Sequence, residues 1–101
     1  MPLAPLSPRE IEARLAALPA WSLDGDRLTR SYRLDSHFAA TAMVVHIAQV
    51  QERLDHHSDL TLGHDTVSLS VHTHSAGGAV TEKDFELAHR VEDLSARHGA
   101  H

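Results

Sequence analysis

Two short turn signals constrain this chain more than any other feature. Asp24-Gly25-Asp26 and Gly63-His64-Asp65 each separate a pair of apolar runs by only a few residues. That spacing closes an antiparallel hairpin and is too short for a parallel crossover. The runs are Trp21 to Leu23 with Leu28 to Leu34, and Leu60 to Leu62 with Thr66 to Thr73. In the last of these Val67, Leu69 and Val71 alternate with Ser68, Ser70, His72 and His74, so one face is apolar. Leu28, Tyr32 and Leu34 also share a face; Arg30 interrupts it, which points to an edge or solvent-facing segment.

Helical periodicities surround the hairpins. Ser7-Pro8-Arg9-Glu10 has the form of a capping box, and Ile11, Leu15 and Leu18 continue a helix over about 8–18, stopped by Pro19. Asp35 or Ser36 can cap a longer helix to about Leu54, with Phe38, Ala42 and Val45 beside Met43, Ile47, Val50 and Leu54 in a broad apolar stripe. Thr81-x-x-Asp84 caps a last helix whose Phe85, Leu87, Ala88, Val91 and Leu94 point inward. The order α-β-β-α-β-β-α predicts a two-layer α+β fold: a four-stranded antiparallel sheet with three helices on one face. With 101 residues and no linker, one domain over 1–101 is expected, with 1–6 and 97–101 as flexible ends.

Composition removes several functions. Fourteen acidic against nine basic residues give a formal charge of −5, which argues against binding nucleic acid through its phosphates. Without cysteine there are no disulfides, thiolate nucleophiles or thiolate zinc sites. No apolar run approaches the roughly 20 residues of a membrane span. Met1 to Leu6 has neither the basic start nor the apolar stretch of a secretion signal, so a cytoplasmic location is expected. Histidine, by contrast, is abundant: protonating all ten would move the charge from −5 to +5.

The best candidate site is Glu52-x-x-Asp55-His56-His57, where a long helix runs into a loop and side chains reach solvent from a fixed support. Adjacent histidines point in different directions, so they suit different atoms of one substrate better than one metal ion. Glu52, Asp55 and Asp59 would orient the imidazoles and favour their charged forms. His72 and His74 at a strand end would lie on one side, roughly 6–7 Å apart, the best metal geometry in the chain. No ligand motif such as H-E-x-x-H supports a metal there, and exposed histidines beside Ser68 and Ser70 are the plainer reading. Asp84 has a sufficient role as a helix cap. His46 reads as structural, His37, His89, His98 and His101 as surface, and Trp21 as core or interface. No G-x-S-x-G elbow is present, and Gly77-Gly78 without a following Lys-Ser or Lys-Thr is no phosphate loop.

Glu52-Arg53-Leu54-Asp55-His56-His57, then His74 after a hairpin, then Thr81-Glu82-Lys83-Asp84-Phe85-Glu86-Leu87-Ala88, resembles the pterin-4a-carbinolamine dehydratase family. Trp21 followed by a hairpin and a long helix agrees, so the resemblance runs from about Ser7 to Leu94. It implies dehydration of 4a-hydroxytetrahydropterin, the product of pterin-dependent aromatic amino acid hydroxylases, to a quinonoid dihydropterin. It also implies a homodimer or homotetramer, a functional link to such a hydroxylase, and pterin as substrate with no cofactor and no metal. His56, His57 and His74 are then the catalytic residues. Glu52, Asp55, Asp84 and Trp21 would bind or orient. This chain departs from the family at Ser58, where proline is usual, at Leu60, often tryptophan, and at His64, usually aromatic. Losing that proline would loosen the turn presenting the histidines, since proline fixes φ before folding.

The chemistry also stands on the residues alone. Expelling a hydroxyl as water needs an acid on the leaving oxygen and a base on the neighbouring ring N–H, and histidine serves either purpose near neutral pH. Two other readings stay open: a catalytically weakened relative acting as a binding or dimerisation module, and a histidine metal site.

Overall fold

The computed structural model describes residues 3–101. Its elements follow the expected order: α1 (Pro8–Leu15), β1 (Ser22–Asp24), β2 (Arg27–Arg33), α2 (His37–Leu54), β3 (Asp59–Leu62), β4 (Thr66–Val71) and α3 (Glu82–Ser95). The four strands form one antiparallel sheet in the order β1-β2-β4-β3, so each hairpin contributes one outer and one central strand. Leu28 and Tyr32 of β2 and Val67, Leu69 and Val71 of β4 are buried on one face. Met43 and Ile47 of α2 and Phe85, Leu87, Ala88, Val91 and Leu94 of α3 complete the core. Ile11 and Leu15 pack α1 against it. The opposite face is open and carries hydroxyls: Thr29, Ser31, Thr61, Ser68 and Ser70 line a shallow concavity.

Four local expectations change. The α1 helix stops at Leu15, not Leu18, because Pro19 disfavours helical geometry in the residue before it. The chain there tightens into three-residue turns, with Ala17 N–H to Arg14 O at 3.1 Å and Leu18 N–H to Leu15 O at 2.9 Å. Arg30 does not mark an edge. It lies on a central strand, its Nε donating to Glu92 at 3.2 Å and its guanidinium 4.0 Å from the Tyr32 ring centre. On α2 the buried stripe is Ala40, Met43, Ile47 and Gln51, whereas Phe38 is 83% and Val45 64% exposed. One sheet face can cover only one side of a helix, so the outer half of the apolar surface stays outside. Finally β4 ends at Val71; Thr73 makes an isolated bridge with Ala79, and His74 opens a short 3-10 turn. His72 and His74 therefore do not alternate along a strand.

Beyond α3 the chain makes another 3-10 turn, Ala96–His98, and His101 exchanges both backbone hydrogen bonds with Arg33, at 2.8 and 2.9 Å. His98 is not a plain surface residue: its Nε2 lies 2.9 Å from Nδ1 of His46.

Candidate active site

The end of α2 builds the first wall. Asp55 takes left-handed geometry (φ 51°), uncommon for any residue but glycine and tolerated by aspartate. Its N–H bonds Glu52 O at 3.3 Å, and the His56 N–H bonds Gln51 O at 3.1 Å. This pair of bonds is a Schellman closure, which satisfies terminal carbonyls and turns the chain sharply. His56 and His57 therefore leave the helix in a fixed direction. Ser58 holds the turn further: its N–H and hydroxyl both donate to Oε1 of the buried Gln51, at 3.0 and 2.5 Å. A proline there could not make the first bond, so this chain replaces a covalently fixed φ with hydrogen bonds.

The second wall comes from the β4 exit and the start of α3. Asp84 is completely buried. Its Oδ2 accepts from Thr81 N–H and the Thr73 hydroxyl, both at 2.8 Å, and its Oδ1 lies 2.6 Å from His56 Nε2. The carboxylate can only accept, so Nε2 of His56 carries the proton, and Nδ1 is left without a protein partner. The Thr81 hydroxyl, 2.6 Å away, can then donate to Thr73. Asp84 thus caps its helix and also fixes the ring and tautomer of His56, the two roles that the sequence presented as alternatives.

These walls enclose a cleft of about 500 Å³, within the range of small-molecule sites. Asp55, His56, His57, His72, Thr73, His74 and Lys83 line it, so the three expected catalytic histidines share one cavity although His74 is 18 and 17 positions from the others. The His56 side chain is only 10% exposed; that of His57 is 54% exposed, with Nε2 3.3 Å from Glu52 Oε1. Among the described residues, the His74 ring has no hydrogen-bond partner, and no group of three acidic or histidine side chains is placed to hold a metal ion.

Three expected orienting residues take different positions; Asp59 bonds no imidazole and instead accepts from Arg27 at 2.6 Å. Asp55 borders the cleft but bonds no imidazole; its contribution is the backbone turn. Trp21 is 4% exposed, its Nε1 donating to Glu92 at 2.8 Å, and it does not line the cleft. His64 and Leu60 also lie outside it. Sequence reasoning passed over two contributors, Lys83, whose Nζ donates to Leu54 O at 3.1 Å across the mouth of α2, and Thr73; His72, weighed only as a metal ligand or an exposed histidine, also borders the cleft. Lys83 was legible beside Asp84 at a helix start. Nothing in the pattern distinguished Thr73 from an ordinary strand threonine.

Imidazoles bordering one cleft can give and take protons near neutral pH. The family model for pterin 4 alpha carbinolamine dehydratase matches residues 4–94, and the chain belongs to that family. It is 79% identical over the full length of both chains to a Streptomyces coelicolor protein named "Putative pterin-4-alpha-carbinolamine dehydratase". A Chloroflexus aurantiacus relative of the same name is 42% identical over 88% of this chain and 95% of its own. The crystal structure of a transcriptional coactivator/pterin dehydratase from Brucella melitensis superposes with a TM-score of 0.83 at 29% identity, covering 89% of this chain and 97% of that one. A pterin dehydratase-like RuBisCO assembly factor of the alpha-carboxysome shares the fold, with a TM-score of 0.60 at 18% identity over 74% of this chain and 86% of that one.

Proposed function

We propose that this chain dehydrates 4a-hydroxytetrahydropterin to the quinonoid dihydropterin by histidine acid–base catalysis. One observation carries the reading: His56, His57 and His74 border one cleft, with His56 locked by Asp84. The C4a–O bond breaks as an imidazolium protonates the departing hydroxyl, and water leaves. A neutral imidazole takes the proton from the adjacent ring nitrogen, whose electrons form the new C=N bond. The overall change is loss of one water, with no redox step. His56 and His74 act as the acid and base from two sides of the ring system, and His57, steadied by Glu52, hydrogen-bonds the heterocycle. In His56 the nitrogen that exchanges protons is Nδ1, because Nε2 is committed to Asp84.

The pterin is substrate, so the reaction needs no further cofactor or metal. A hydroxylase that releases the carbinolamine is the functional partner. Copies associate as a dimer or tetramer, which would cover the exposed Phe38 and Val45 of α2. Light scattering at micromolar concentration checks this: a monomeric mass would count against it. Decay of the carbinolamine absorbance, followed by stopped flow in a coupled hydroxylase reaction, tests the activity. Acceleration by added protein is expected; decay at the spontaneous rate would leave a binding module as the better reading.

A further inference from the structure

A second concentration of charge stands apart from the histidine cleft. The α2 and α3 helices run antiparallel: Lys83 at the start of α3 reaches Leu54 at the end of α2, and His98 beyond α3 meets His46 within α2. On their outer side lies a groove of about 230 Å³. His46, Val50 and Arg53 form the α2 wall, and Arg90, Asp93 and Arg97 face them. The spacing is i, i+4, i+7 along α2 and i, i+3, i+7 along α3 and the 3-10 turn that follows it, so each wall extends about 10 Å.

Three arginines there face a single acid, Asp93. Of the nine lysines and arginines, Arg14, Arg27, Arg30 and Arg33 pair with Glu82, Asp59, Glu92 and Asp65. Lys83 is spent on a carbonyl. That leaves Arg9, Arg53, Arg90 and Arg97 without a carboxylate partner among the described residues, and three of these four arginines line this one groove. In a chain of net charge −5 such clustering is not a by-product of excess base. Asp93, the acid in the groove, pairs with none of them. Three arginines against one aspartate leave the groove net positive, which favours an anion there. The planar forked guanidinium matches phosphate oxygens two at a time, which a point charge cannot do.

We propose that the groove between α2 and α3 binds a compact phosphate-bearing small molecule. Its short walls suit an anion of about the span of a diphosphate. The overall negative charge repels a long polyanion such as nucleic acid, whose phosphates would extend beyond the basic patch. The site is independent of the histidine cleft and of the reaction proposed for it.

Calorimetric titration at constant ionic strength with inorganic pyrophosphate, and separately with inorganic phosphate, tests this. Saturable binding in the millimolar range or tighter is expected, with pyrophosphate the stronger, and with the His46 and His98 imidazole resonances moving during the titration. Arg53→Ala and Arg90→Ala should each weaken binding about tenfold, the scale of one charge-assisted bidentate contact. Asp93→Asn should tighten it several-fold. Arg9→Ala, an exposed arginine outside the groove, should change nothing. Both groove arginines are exposed, and circular dichroism confirms that the variants fold. The proposal is overturned by absence of saturable binding, by equal weakening in Arg9→Ala, or by resonance shifts confined to His56, His57 and His74.

Discussion

Two carboxylates on α3 end in opposite kinds of network. Glu92 Oε1 receives Trp21 Nε1 at 2.8 Å, Arg30 Nε at 3.2 Å and the Tyr32 hydroxyl. Every donor belongs to the sheet side of the core, so the network closes on itself. Burial pushes the Glu92 carboxyl upward, but the bonds from Tyr32, Trp21 and Arg30 and the Arg30 charge outweigh it and hold the group below the usual carboxylate range. The Tyr32 phenol is driven well above its ordinary value, first by burial and then by the adjacent carboxylate. Asp84, eight residues earlier and wholly buried, takes two donors from its own surroundings and gives its remaining oxygen to His56, a ring bordering an open cleft. A half-buried acid such as Glu92 braces the core when its donors end inside it. An acid can direct chemistry when the last donor faces substrate.

This contrast is open to test at several points. The largest effect is expected at the end of the Asp84 chain: His56→Ala or His74→Ala should slow carbinolamine dehydration by roughly 10²–10⁴-fold, the worth of a positioned proton transfer. The melting temperature of His74→Ala should barely change, because that ring is exposed and unbonded. Wild-type rates in both would remove the assigned roles. Asp84→Ala should cost both properties, about 10–100-fold in rate from loss of an orienting partner, and about 3 kcal/mol from orphaned buried donors. Urea unfolding and stopped flow on the same sample measure the two together.

Glu92→Ala is the counterpart. It should cost about 2–4 kcal/mol by leaving Trp21 and Tyr32 unsatisfied and Arg30 unpaired, while kcat of the folded protein stays within about twofold. A rate loss as deep as that of Asp84→Ala would erase the distinction between the two networks. Acid titration refines it. The lowered Glu92 pKa supplies stability that is complete above the usual carboxylate value of about 4.5 and is lost as pH falls through the folded value; Glu92→Gln should flatten that limb of the stability curve.

The smallest effect belongs to His98, whose pKa is lowered first by burial and then by His46. The unfolded chain binds this proton more readily than the fold does. Stability from His98 is therefore present above about pH 6.5 and declines on acidification, a slope that His98→Gln should reduce in thermal melts taken over about pH 7.5 to 5.5.

Much of the architecture was legible because it is local. The Asp-Gly turn, the alternation of Val67, Leu69 and Val71, and the Ser7 and Thr81 caps are satisfied within a few residues, and each appears where the pattern placed it. The errors fall where a choice depends on a distant neighbour. Arg30 reads as an exposed charge until Glu92 and Tyr32 are set beside it. Phe38 and Val45 read as core until the sheet covers only one side of α2. Ser58 reads as a loosened turn until the Gln51 amide comes within reach from the preceding helix.

Composition and periodicity were enough to set the order of elements, the faces that would be apolar and the supply of histidine. They also supplied the string of residues by which the family is recognised. Which imidazoles meet, and which acid holds them, was left to the packing of distant segments. The pairing of β2 with β4 and the packing of α3 against α2 bring His74 and Asp84 to the end of α2, where Asp84 bonds His56, 28 positions away, and His74 shares the cavity of His56 and His57. A hydrogen bond depends on distance and direction in space, and separation along a chain specifies neither until the chain has folded.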